Sequence, residues 1–89
     1  MTVFAQIQLK EHQQKALLSF MNEASKISEV MECYHMTGAF DILLKVCVKD
    51  MEEYTAVISN KLSNLPFVGT IQSVFVLTEA KRELGYDIQ

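Results

Sequence analysis

The sequence predicts an α+β sandwich with element order βαββαβ, an antiparallel sheet carrying both helices on one face. Three observations lead there. Apolar residues recur with a period of two in four separate runs. Two stretches between those runs switch to helical spacing. The middle two strand-like runs are joined by Thr37-Gly38-Ala39 alone, a hairpin connection. This order is the split βαβ, or ferredoxin-like, arrangement.

The first strand spans 3–9, where Val3, Ala5, Ile7 and Leu9 alternate with Phe4, Gln6 and Gln8. From Glu11 to Lys26 the period lengthens, and Ala16, Leu17, Phe20, Met21 and Ala24 form one stripe of an amphipathic helix. Residues 29–36 and 40–48 are rich in β-branched and aromatic side chains, as antiparallel strands require. Asp50 then caps a second helix, with Glu53 completing a capping box. Pro66 ends that helix near Asn64. A last strand covers 68–79, and Leu84, Tyr86 and Ile88 alternate as a short edge strand would.

The chain of 89 residues forms one domain, 1–89, with 49% hydrophobic residues. A monomer this small buries only roughly 60–65% of the surface its unfolded chain exposes. The strand at 40–48 is apolar at both parities, with Phe40, Ile42, Leu44, Val46 and Val48 on one and Leu43 and Cys47 on the other. The last strand repeats this, with Val68, Val74 and Val76 opposed to Ile71, Phe75 and Leu77. Two helices cover one face, so the second face predicts a sheet-against-sheet homodimer.

A net charge of −3 offers no field for phosphate backbones, so direct nucleic-acid binding is not expected. No apolar run approaches the ~18 residues of a membrane span, and the expected location is the cytoplasm. Cys33 and Cys47 lack metal-ligand spacing and read as small hydrophobes. Neither a metal nor a cofactor is expected. No phosphate loop, dinucleotide fingerprint or nucleophile elbow occurs.

The chemistry-bearing stretch is HMTGAFDILL, residues 35–44. Asp41 stands at the head of a buried-looking strand beside the Gly38 bend. Its plain role is to accept a hydrogen bond from the turn. Its functional role would be to meet an ammonium group while nearby amides and hydroxyls meet a carboxylate, which suits a zwitterion. Thr70 and Ser73 are candidate hydroxyl donors, or ordinary solvent-facing strand positions. His12 reads as a solvated residue of the first helix. His35 with Tyr34 is the best cluster an enzyme could draw on, and a sparse one.

VMECYHMTGAFDILLKVCVKD and the following MEEYTAVISNKLSNLPFVGTIQSVFVLTEAK resemble the effector (RAM) domain of the Lrp/AsnC, or feast/famine, transcriptional regulators. The resemblance runs from about residue 3 to residue 82. It rests on ECY at 32–34, TGxxD at 37–41 followed by LLKV, the Leu65-Pro66-x-Val68 turn, and the closing strand ending in Lys81. It implies a ferredoxin-like dimer (dimeric α+β barrel), rings of dimers, commonly octamers, and small effectors, usually amino acids, bound between dimers. It places Thr37, Gly38 and Asp41, with Thr70, Ile71 and Ser73, at the effector site. Ile71 is apolar where many relatives offer a hydroxyl, and Phe67 replaces the usual Gly after Pro.

The first strand starts just after Met1, so the chain reads as a stand-alone effector domain without the family's helix-turn-helix. It would then sense an amino acid and join full-length Lrp/AsnC regulators to modulate transcription. Two other readings stay open: a small dimeric ferredoxin-like enzyme of the monooxygenase or isomerase type, and a pure oligomerisation module without ligand.

Overall fold

In a computed structural model, which describes residues 1–80, the elements are β1 (Thr2–Leu9), α1 (Gln14–Ala24), β2 (Val30–His35), β3 (Ile42–Cys47), α2 (Met51–Asn60), a 3-10 turn at Leu62–Asn64, and β4 (Val68–Phe75). The four strands form one antiparallel sheet in the order β2-β3-β1-β4. The βαββαβ order is therefore as the apolar periodicity predicts. The tail at Leu84, Tyr86 and Ile88 lies outside the described residues.

Strand register sorts the side chains into two faces. Rows His35–Ile42–Ile7–Ile71, Cys33–Leu44–Ala5–Ser73 and Val30–Val46–Val3–Phe75 face the helices. Against them pack Ala16, Phe20 and Ala24 of α1, Tyr54 and Val57 of α2, and Leu62, all buried. The other face carries Tyr34–Leu43–Gln6–Gln72 and Glu32–Lys45–Phe4–Val74. Tyr34 is 46% exposed and Val74 41%. This face is more mixed than the two-parity pattern implies, because half of each row is polar, Gln6 and Gln72 in one and Glu32 and Lys45 in the other.

Part of that difference comes from a bulge. Thr70 pairs with Gln8 but Val68 pairs with Leu9, so Gly69 is one residue too many in β4. The extra residue flips Val68 to the helix side, where it packs on the core beside Ile71. Parity counted through Gly69 therefore misplaces Val68. A Cβ at Gly69 would sit 2.8 Å from the Gln8 carbonyl oxygen, which is why the bulge holds a glycine.

Several boundaries move inward. α1 starts at Gln14, not Glu11, and carries no side-chain cap, which leaves His12 in the connection before the helix. Met36 and Phe40 leave the strands, and the hairpin connection lengthens to 36–41. Asp41 explains this: its N–H donates to the Ile7 carbonyl (2.9 Å) and its carbonyl accepts from Met36 N–H (2.8 Å). α2 stops at Asn60 before the 3-10 turn, and β4 ends at Phe75 instead of 79. The capping box at α2 is real but shifted. Asp50 Oδ1 accepts from Glu53 N–H (2.9 Å), while Glu53 Oε1 accepts from Lys49 N–H (2.6 Å).

Phe67 takes φ 64°, the left-handed conformation that a glycine after Pro66 would adopt freely. Its carbonyl accepts from Lys10 N–H at 2.7 Å, tying the turn to the end of β1. At the opposite end of the domain, Lys61 Nζ donates to both Glu29 carboxylate oxygens, at 2.8 and 3.0 Å. That ion pair joins the end of α2 to the start of β2 and holds the Glu29 carboxyl below its usual 4.5.

Two outcomes are expected. Gly69→Ala forces β1 and β4 apart at the bulge and costs about 1–3 kcal/mol in chemical denaturation. The Glu29 contribution is complete above pH 4.5 and fades as pH falls through its lower folded value. Glu29→Gln should therefore flatten the acid limb of a stability-against-pH curve and leave the limb above neutrality alone.

Candidate effector site

Several of the candidate residues gather where β1 ends. Gly38 holds φ 115°, a conformation open to glycine, with nothing within 4 Å of an added Cβ. Its constraint is backbone conformation, not space. The 36–41 loop it allows is then fastened from both faces of the sheet.

On the helix side the fastener is Asp41, whose side chain is 26% exposed. Its Oδ2 accepts from Leu9 N–H at 2.8 Å, closing the gap that the bulge opens after Gln8. Its Oδ1 faces His12 Nδ1 at 3.6 Å. Together with Leu9, Gln14, Leu17 and His35, these two residues line a cavity of about 340 Å³. One carboxylate oxygen is thus spent on the fold, and the other looks into open space among two imidazoles, an amide and two leucines.

On the open face the fastener is Gln8. Its Nε2 donates to the Ala39 carbonyl (2.5 Å), and its Oε1 accepts from Thr70 Oγ1 (3.3 Å). A second, smaller cavity of about 260 Å³ lies there, walled by Gln6, Gln8, Ala39, Phe40, Thr70 and Gln72.

The residues singled out from sequence therefore divide. Thr37, Gly38 and Asp41 share the loop, and Thr70 meets that loop through Gln8 on the open face. Ile71 and Ser73 point the other way, toward the helices. Ser73 is no solvent-facing donor, because its hydroxyl is paired with the Tyr54 phenol. Tyr54 is 3% exposed; burial pushes its phenol above the usual range, against a smaller lowering by Ser73. The edge of its ring meets Phe75, with centroids 5.7 Å apart, so Ser73 and Phe75 together seat α2 on β4.

Sequence reasoning weighed His12 and His35 but did not bring them, or Gln8, together with Asp41. His35 shares the parity of Cys33, which places it on the helix side at the end of β2, so alternation alone signalled it. His12 gave no such signal, because its position depends on how residues 10–13 turn between strand and helix. Among the described residues no group of three or more His, Cys, Asp or Glu could hold a metal ion. No helix among them is long and apolar enough to cross a membrane.

The model of the Lrp/AsnC ligand binding domain matches residues 2–86. A proline dehydrogenase transcriptional activator of Rhizobium radiobacter is 42% identical over 82 residues, 92% of this chain and 52% of that protein. The leucine-responsive regulatory protein of Escherichia coli K12 is 32% identical over 80 residues, 90% of this chain and 49% of that one. The chain thus spans about half the length of the curated relatives it matches. Among solved structures, a Neisseria meningitidis transcriptional regulator in complex with L-Met superposes with TM-score 0.86 at 27% identity, covering 97% of this chain and 55% of that chain. These relatives are transcriptional regulators and not enzymes, which removes the monooxygenase and isomerase reading. With its βαββαβ sheet and the TGxxD loop at 37–41, the chain belongs to the Lrp/AsnC ligand binding domain family.

Proposed function

We propose that this domain senses a small effector, an amino acid, in the helix-side cavity at Asp41, and that the binding event controls how copies of the domain assemble. One observation carries the reading. Asp41 keeps one carboxylate oxygen for Leu9 N–H and presents the other to a cavity of about 340 Å³ with leucine walls. A carboxylate so placed is rigid, charged and available to an ammonium group, and Leu9 and Leu17 suit an aliphatic side chain. The Met complex of the Neisseria relative supports the ligand class.

Assembly enters because the cavity is open at the surface, where a neighbouring copy can complete it. The half-exposed open face with Phe4, Tyr34, Leu43 and Val74 suits a sheet-against-sheet dimer. Dimers would join further into rings such as octamers. A ligand seated between copies favours the associated state by about 2.7 kcal/mol per site at 100 times its Kd. The output would be transcriptional, in the cytoplasm, through a DNA-binding segment on the same polypeptide or on partner Lrp/AsnC regulators.

Light scattering coupled to calorimetry, with the standard amino acids screened in turn, tests this directly. At least one amino acid is expected to bind and change the particle mass. Asp41→Asn keeps an acceptor for Leu9 N–H but loses the charge, so it should melt like wild type and bind roughly 10- to 100-fold more weakly. Asp41→Ala should lose binding and stability together. Wild type that binds none of the amino acids, while still associating, is an oligomerisation module and no sensor.

A further inference from the structure

Two histidines stand beside Asp41 with no assigned task. His35 is the last residue of β2, and its pairing with Ile42 puts it on the helix side. His12 comes from the β1–α1 connection, with Nδ1 3.6 Å from Asp41 Oδ1 and a side chain 73% exposed. Both line the cavity that holds the free Asp41 oxygen. Neither imidazole has a hydrogen bond among the described residues that the fold needs, since the contact of His12 with Asp41 is long and solvated.

We propose, resting on the effector reading above, that His12 and His35 are the specificity-determining residues for the ligand's carboxylate, making the site selective for an α-amino acid zwitterion over an amine or a simple carboxylic acid. An α-amino acid carries both charges on groups attached to one carbon. With its ammonium on Asp41 Oδ1, its carboxylate lies within reach of the same cavity, where the remaining polar groups of this copy are His12, His35 and the Gln14 amide. An imidazole presents an N–H donor in either protonation state, and Gln14 presents two, so the polar lining around Asp41 can be all donors. A carboxylic acid without an ammonium meets the Asp41 charge unpaired and is repelled. An amine without a carboxylate leaves the donors facing nothing. Leu9 and Leu17 are left to contact the side chain.

The exposure of His12 fits this role. It is free to turn from Asp41 Oδ1 to a carboxylate when an ammonium takes its place, at the cost of a few rotatable bonds. His35 is held by the strand and needs no such movement.

The test compares L-leucine and L-methionine with L-leucinol and L-methioninol, which keep the ammonium and side chain and lack the carboxylate. Wild type should prefer the amino acid over its alcohol by about 10-fold or more, as a charge-assisted hydrogen bond gives. His12→Phe with His35→Phe should bring that ratio to within about 3-fold, chiefly by weakening the acid. His12→Gln and His35→Gln, which keep an N–H donor, should restore most of it. A general loss of fold would weaken acid and alcohol alike, so the ratio reports the histidines alone. If the Phe pair discriminates as wild type does, the assignment is wrong while the effector site stands. If wild type binds none of the standard amino acids, the assignment falls with the reading beneath it; if it binds another than these two, the same acid-to-alcohol ratio is measured with that one.

Discussion

One layer of helices can bury one face of a sheet, and this constraint governs the molecule. Four strands and two helices give a core drawn wholly from one side: Val3, Ala5, Ile7 and Leu9 from β1, and Ile42, Leu44 and Val46 from β3, against Phe20, Tyr54, Val57 and Leu62. β1 and β3 are the inner strands, so their helix-side residues are buried at nearly every position. The edge strands β2 and β4 share that face only partly. Polar groups on the helix side are consequently confined to the edges, where Ser73 is satisfied by Tyr54 and His35 looks out into a cavity.

The site follows from what happens when β1 stops. Beyond Gln8 the ladder on the β4 side breaks at the Gly69 bulge, and on the β3 side Asp41 has already left regular strand geometry. Leu9 N–H would be an orphan donor there. Asp41 accepts from it with a charge, and Phe67 accepts from Lys10 N–H on the other flank. Both loops that border the end of β1 are thus fixed by backbone donors at that end, Leu9 as its last residue and Lys10 as the next. The price is a carboxylate at the rim of the core, only half consumed by the fold.

Periodicity read from the sequence recovered the elements and their order because burial on one face imposes it residue by residue, as in Val3, Ala5, Ile7 and Leu9. It failed where a single residue changes the count. Gly69 inverts the face of Val68, and no pattern of apolar residues marks a bulge without knowledge of the partner strand. The helix start failed for a related reason: Glu11 and His12 have acceptable helical propensity, but residues 10–13 must first turn the chain back over the sheet. Asp41 was legible, because a charge heading an apolar strand is conspicuous. The company it keeps was not, because His12 and His35 lie 23 residues apart and meet only through the topology. The open face was overestimated as apolar for want of register, which interleaves Gln6, Gln8, Lys45 and Gln72 with Phe4, Leu43 and Val74.

The loop at 36–41 is held from both faces of the sheet. Asp41 grips β1 from the helix side, and Gln8 grips the Ala39 carbonyl from the open face while accepting from Thr70 of β4. Anything that rearranges Asp41 pulls on a peptide whose other attachment lies on the surface where another sheet would dock. Such an arrangement links the two faces through six residues and two side-chain hydrogen bonds. The requirement for coupling is a ligand with unequal affinity for two arrangements of that loop. Gly38, with φ 115° and open space around it, gives the loop the backbone conformation it needs to reach both attachments.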